Sequence, residues 1–490
     1  MSRPFALQRF LPNLLQHIAF QLTSNSTVLF QENIVVDSAS KTVSVRLAEW
    51  ATTCRVADLP SDVTVYAKRL ILDSLGLQIR GSTLRHVQPQ RRLVERSCSL
   101  PEATITGTGV RTTTSSAAYV NGTFAASMEF DDCHMLPWHA GSIMVPTSLA
   151  VVEANGGPGE DVLLGTVVGH QVVSLLGTVV SRPLLARGWH APRAMGPFGA
   201  AAATAAILRA TPTTLANAFG IAAGDASGPM EYDRTGGEVK RQYTGSAARA
   251  GIEAVQLASD GVTGPLTIFE GPSGLFRLMA DVSDVAAMDA EWDKWHIVDT
   301  FFRLNPGVGT VLPALQVVSD IMAEHPIDWR RITAINVGLP PFAVGHGGHI
   351  TQPTDSLGAH FSLTFALALR LITGGSAPAN YLDPQLWVDP DVRAVGSKVR
   401  PYAMEFASDA PLLSADVRII MDNGRSYGGL QYGFRGHTSQ PATDEDIEAK
   451  FRANADGVIP EASIDEVICL VRDIENLSDI RTLTKLLGPV

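Results

Sequence analysis

The chain has 490 residues, 45% of them hydrophobic and only 18% charged, with a net charge of −11. It is long enough for roughly two to four domains of about 150 residues. No basic block offsets the acidic balance, which excludes nucleic acid as the natural partner but leaves room for a small anion held by a local cation cluster. The four cysteines, Cys54, Cys98, Cys133 and Cys469, are scattered without C-x-x-C spacing. That fits a reducing compartment and supplies neither a zinc nor an iron–sulfur ligand set.

Residues 2–31 hold Arg3 and Arg9, several large apolar side chains and no acid. This is a thin transit-peptide composition, and an ordinary N-terminal extension over residues 1–44 explains it as well. The expected compartment is the cytoplasm, with the mitochondrial matrix as the alternative. A helical pattern starts near Val45, and Pro60-Ser61-Asp62 opens a second helix whose stop is Gly81. Residues 99–111 read as a turn or brief strand pairing. Helices follow at 115–127, 145–154 and 160–181. The last of these contains the most apolar window, 162–180, which glycines and His170, Gln171 and Ser174 interrupt. A buried core helix accounts for it better than a membrane span.

A Gly/Ala-rich helix is predicted over 199–209, and Thr211-Pro212 caps and starts the next. Another helix is predicted over 245–259. Beyond Trp295 the texture changes: 332–339 and 415–421 alternate as strands, and Asp422-Asn423-Gly424 turns the second back into 426–432. Helices over 313–323 and 357–372 accompany them. From Thr443 the chain is helical again, with Asp444, Glu445 and Asp446 in its first turn. The predicted fold class is mostly α. One large helical domain is built from both chain ends (45–298 and 439–490), and a smaller α+β lid domain (299–438) is inserted.

The chemistry-bearing stretch is Glu129-Phe130-Asp131-Asp132-Cys133-His134, running on to His139. It gathers three carboxylates and two imidazoles at a helix end, where Pro137 prevents smooth continuation. A solvated acidic turn with one structural histidine is the alternative. Arg187-Gly188-Trp189-His190 places an imidazole at a helix entrance, unless His190 is simply a satisfied core residue. Lys240 and Arg241, followed by Tyr243 and a glycine-started helix, form a carboxylate-binding corner or else an exposed basic turn. Arg303 and the pair His346 and His349 complete the set; the spacing of that pair argues against zinc. No P-loop, Gly-x-Gly-x-x-Gly or Gly-x-Ser-x-Gly element is present.

Six motifs in order carry a resemblance: residues 129–132 with His139 seven positions on; Gly188-Trp189-His190 before 196–203; 215–222 with Ser227-Gly228; Lys240 to Gly251; 261–271; and 443–451. Together they resemble the MmgE/PrpD family, which includes 2-methylcitrate dehydratase and cis-aconitate decarboxylase. The match runs from about Val45 to the C-terminus.

The resemblance implies a cleft between a two-segment helical domain and a lid, a homodimer, and acid/base lyase chemistry on a small polycarboxylate without cofactor, metal or membrane. It makes His139 the proton-transfer group, oriented by Glu129 or Asp132, with Glu129 standing where an aspartate is usual and Cys133 where a threonine is often found. His190, Lys240 and Arg303 become carboxylate holders. Cys133, Arg241, Tyr243 and His349 are further substrate contacts, and His349 or Tyr243 is assigned to protonate a departing hydroxyl. Gly307, Val308, Gly309 and Leu312 replace the polar lid residues usual there, which implies room for an alkyl arm. The expected activity is dehydration of a 2-methylcitrate or alkylcitrate-type tricarboxylic acid. The alternatives are cis-aconitate-type decarboxylation, isomerisation of a dicarboxylic acid, and a non-catalytic carboxylate-binding homologue.

Overall fold

A computed structural model describes residues 41–97, 99–408 and 410–489. The transit-like segment and most of the N-terminal extension therefore lie outside the described residues. The longer helices are α1 (Val43–Thr53), α2 (Ser61–Gly81), α3 (Thr114–Ala125), α4 (Gly141–Asn155), α5 (Gly159–Ala186), α6 (Ala191–Ile207), α7 (Pro212–Ala222), α8 (Tyr243–Ser259), α9 (Leu312–Glu324), α10 (Leu363–Thr373), α11 (Asp444–Ala455) and α12 (Glu461–Arg472). A hairpin pairs β1 (Ala103–Ile105) with β2 (Val110–Thr112). The sheet of the C-terminal part contains β3 (Ile332–Leu339), β4 (Val399–Ala403), β5 (Ser414–Met421) and β6 (Ser426–Tyr432), in the order β4-β3-β5-β6. β3 runs parallel to β4 and antiparallel to β5, so the chain is mostly helical with one small mixed sheet.

Local chemistry explains several boundaries. The Thr211 hydroxyl accepts from the Thr214 amide at 3.1 Å, and Pro212 fills the first turn of α7. Thr443 and Asp446 close a reciprocal capping box at the start of α11. Gly424, at φ 79°, makes the turn between β5 and β6.

Three expected boundaries shift. α4 begins at Gly141 rather than 145, and α6 at Ala191 rather than 199, because Pro146 and Pro197 sit inside these helices and remove only one ladder bond each. The segment expected as one helix over 357–372 divides at Ser362, whose hydroxyl caps α10 by accepting from Phe365 N at 3.2 Å. β4 carries Pro401, which an edge strand tolerates and which hides its strand character from pattern reading.

From Thr42 onward the chain forms one compact unit. Its apolar side chains gather in two large clusters, one drawn from 43–302 with 442–487 and the other from 230–434. Of the described helices, α5 alone is long and apolar enough to cross a membrane, and 94% of its apolar window is buried against the rest of the protein. Helices α3 and α8 cross where Gly122 meets Gly245: a Cβ on Gly245 would stand 2.0 Å from the Tyr119 carbonyl oxygen. That close approach brings the loop after α3 against the turn before α8.

Candidate active site

The loop joining α3 to α4 buries five carboxyl and imidazole side chains: Glu129, Asp131, Asp132, His134 and His139. Glu129 and Trp138 adopt left-handed backbone conformations (φ 46° and 63°), a strained geometry that persists only where surroundings fix it. Side chains alternate along the loop. Glu129, Asp131 and Cys133 turn toward a common centre. Between them, Phe130 packs with Leu77, Ala125 and Met128, and the Asp132 carboxylate accepts from Gly141 N at 3.0 Å at the start of α4. Two backbone hydrogen bonds between Cys133 and Phe301 tie the loop to the segment carrying Arg303.

Around that centre the charges are paired. Glu129 binds Lys240 directly, Arg241 at 3.3 Å and Arg303 at 3.4 Å. Arg303 also binds the Asp131 carboxylate, the Asp131 carbonyl at 2.6 Å and the Gly307 carbonyl at 3.0 Å. Burial alone would raise the Glu129 carboxyl, but Lys240, Arg303 and Arg241 together hold it well below the ordinary carboxylate range. Burial opposes ionisation of Asp131 as well, and the Arg303 guanidinium bonded to it outweighs that and holds the carboxyl low. Asp132 is pushed well up, first by burial and then by the neighbouring Asp131 charge. Burial pulls Lys240 down, with Glu129 opposing.

His139 donates from Nδ1 to the Asp132 carbonyl at 3.0 Å, since a carbonyl only accepts, and Nδ1 lies 3.3 Å from Asp131 Oδ2. The ring is thereby held in the tautomer whose basic nitrogen is Nε2. Burial lowers it to about 4, so it is a neutral imidazole here. His190 caps α6 and stacks on His139 with ring centroids 6.0 Å apart. Neither of its ring nitrogens has a hydrogen-bond partner, and burial pushes it well below the usual histidine range.

These groups line a cavity of about 90 Å³. Its wall includes Glu129, Cys133, His139, His190, Lys240 and Arg303 from the sequence-predicted set. Burial raises the Cys133 thiol to about 12, so it faces the cavity as a neutral group.

Four predictions need correction. Asp132 meets His139 only through its backbone; the carboxylate at that ring is Asp131. Arg241 stands behind the wall as a buried strut, bound to Glu129 and, at 3.0 Å, to Glu238. Tyr243 is likewise outside the wall, its hydroxyl donating to the Pro229 carbonyl at 3.1 Å. His349 is exposed, and the imidazole that lines the cavity is His346, bound through Nδ1 to Asp233 at 2.9 Å. Tyr232 is a further wall residue, buried with an unpartnered hydroxyl. Sequence reasoning missed Tyr232 and Asp233, and it singled out the stretches holding Asp131 and His346 without giving those two side chains a place at the site. For Asp131 the signal was available, in the period-2 alternation that puts it on the side of Glu129.

Residues 45–287 match the MmgE/PrpD N-terminal domain and 309–475 the MmgE/PrpD C-terminal domain. This chain belongs to the MmgE/PrpD family. It is 29% identical over 482 residues to a cis-aconitate decarboxylase of Aspergillus terreus, covering 92% of this chain and 97% of the relative. A human cis-aconitate decarboxylase is 28% identical over 459 residues, covering 89% and 92%. A cis-aconitate decarboxylase-like protein, oryM, of Aspergillus oryzae is 25% identical over 485 residues, covering 93% and 99%.

In this family member, one group of the described residues has metal-ligand spacing: His134, His296 and Asp299, with ligand atoms within 4.8 Å of one another. His134 Nδ1, however, accepts from Leu136 N at 3.0 Å, which puts the ring hydrogen on Nε2 and leaves no lone pair for an ion.

Proposed function

We propose that this protein is an acid/base lyase of a tricarboxylic acid, and that it decarboxylates an unsaturated, cis-aconitate-type substrate. The observation that carries this reading is the convergence of Lys240, Arg303, His139 and His190 on one cavity. The names of its relatives support decarboxylation over the dehydration expected from sequence.

In this reading Lys240 and Arg303 hold substrate carboxylates by charge-assisted hydrogen bonds, exchanging part of their pairing with Glu129 and Asp131. His190, with both nitrogens unengaged, binds a further oxygen. The bond from the carboxymethyl carbon to the departing carboxylate breaks, carbon dioxide leaves, and its electron pair forms an allylic carbanion that becomes the new alkene. A proton is taken up at the far carbon. Residues 299–438 act as a lid whose closure excludes water and strengthens these charge interactions.

A second reading, dehydration of an alkylcitrate-type acid, has its own support. The wall away from the charged floor is apolar, formed by Met135, Leu185, Val308, Phe342 and Leu413. There, His139 Nε2 would remove a proton next to a carboxylate while hydroxide leaves as water. Incubating the protein with a panel of citrate and aconitate analogues, read by mass spectrometry, tests both. Loss of 44 mass units (roughly one carbon dioxide) supports the first reading, loss of about 18 the second, and no change in any analogue overturns both.

A further inference from the structure

Decarboxylation of a tricarboxylate trianion to a dicarboxylate dianion consumes one proton per turnover. The donor must therefore reach the reacting carbon and regain its proton from water each cycle. Most groups on the wall fail one of these requirements. His139 and His190 are neutral and buried, with side-chain exposure of 9% for the former and 1% residue exposure for the latter. Lys240 is bound to Glu129, and the Tyr232 hydroxyl is buried with no hydrogen-bond partner to return a proton to it.

His346 differs. Its side chain lines the cavity yet remains 19% exposed, beside an Asp233 side chain that is 16% exposed. The Asp233 carboxylate accepts from Nδ1 at 2.9 Å, which leaves Nε2 as the nitrogen for proton transfer. The ring is also fixed in place. Its backbone carbonyl accepts from Thr310 Oγ1 at 2.6 Å, and its edge meets Phe361 at 5.7 Å between centroids. Besides Asp233, the ionisable groups on the same wall are Glu129, Cys133, His134, His139, His190, Tyr232, Lys240 and Arg303. Asp233 and Tyr232 are adjacent in the short helix Tyr232–Thr235, so one turn supplies both a cavity hydroxyl and the carboxylate that holds the ring.

We propose that His346, positioned by Asp233, is the general acid of the site: Nε2–H delivers the proton to the allylic carbanion as carbon dioxide leaves, and solvent at the cavity edge restores it. This rests on the decarboxylation reading above. The test is carbon dioxide release from cis-aconitate by the full chain, its H346Q variant and its D233N variant, with kcat and KM followed from mildly acidic to mildly alkaline pH. H346Q is expected to lose about 100-fold in kcat with little change in KM, and to change the pH dependence of kcat relative to the wild type. D233N, which keeps the ring, is expected to lose kcat by about tenfold or more, and it decides the matter should H346Q not fold. A wild type that releases no carbon dioxide sinks the functional reading and this inference with it. A wild type that does, together with variants that keep its kcat and its pH dependence, or that change KM alone, sinks this inference and leaves the reading standing.

Discussion

The carboxylate of Asp131 stands 3.3 Å from Nδ1 of His139, while that nitrogen donates to the carbonyl of Asp132 at 3.0 Å. Two adjacent aspartates thus act on one ring in different ways, one by charge and the other by backbone geometry. Asp131→Asn is expected to lower kcat by about 100-fold, because the carboxylate that pairs with Arg303 and faces the His139 ring is gone and both groups lose their fixed positions. Asp132→Asn keeps both the carbonyl and an oxygen for Gly141 N, so kcat should stay near wild type. Its stability should rise at neutral pH. The Asp132 carboxyl is raised in the folded state, so ionising it costs more there than in the unfolded chain, and the cost grows as pH climbs past the unfolded value. Thermal midpoints of wild type and variant across pH check this; a lower midpoint for Asp132→Asn at neutral pH would contradict it.

Behind the same loop, Lys450 of α11 donates to the Phe130 carbonyl at 2.6 Å and pairs with Asp73 of α2, also at 2.6 Å. Its ammonium lies 4.1 Å from the centre of the Phe130 ring. Lys450→Met leaves the Asp73 carboxyl buried without its cation, which costs on the order of 3–5 kcal/mol. Urea unfolding of the single variant and of Lys450→Met with Asp73→Leu separates the pair from packing. The double variant should recover most of the loss, and an equally unstable double variant would show that packing dominates.

Much of this was legible from residues alone, for identifiable reasons. Helices with strong caps, such as the one opened by Thr211-Pro212, declare themselves locally, and so does the hairpin turned by Asn423-Gly424. What the sequence hides is pairing across distance. Whether Lys240 or Arg241 faces the cavity depends on a single 3-10 turn, Glu238–Gln242, that points one cation at the wall and the other behind it. The choice between His346 and His349 depends on Asp233, more than 100 residues away, and on the Thr310 bond that fixes the loop.

Stability should fall on mild acidification. Burial lowers His139 to about 4, His134 to about 3 and His360 to about 3, against an unfolded value of about 6.5. Between those values the unfolded chain binds more protons than the folded one, so stability present above about pH 6.5 is lost as pH drops toward 4. The depressed carboxyls of Glu129 and Asp131 add a further loss at lower pH, once they take up protons. Asp132 works in the opposite direction. Urea midpoints near pH 7.5 and near pH 5 report the balance. A midpoint that is flat or higher at the acidic pH would mean that these rings are not buried neutral in solution.

Cavity exposure runs from a charged floor to an apolar mouth. Glu129 and Arg303 are each 1% exposed, whereas Met135 and Phe342 are 40% and 39% exposed, and Val308 and Leu413 lie on the wall at 5% and 6%. An alkyl arm on the substrate can lie along that wall with its carboxylates on the floor. Each methylene removed from water contributes about 0.8 kcal/mol, or roughly fourfold in kcat/KM. Lengthening the arm by one or two carbons should therefore raise kcat/KM in the wild type. Val308→His places a polar ring on the wall and should erase that gain while leaving turnover of the unsubstituted acid nearly unchanged. Competition between unsubstituted and alkyl-bearing substrates in one reaction measures the ratio directly. An unchanged ratio in Val308→His would remove Val308 from the specificity wall.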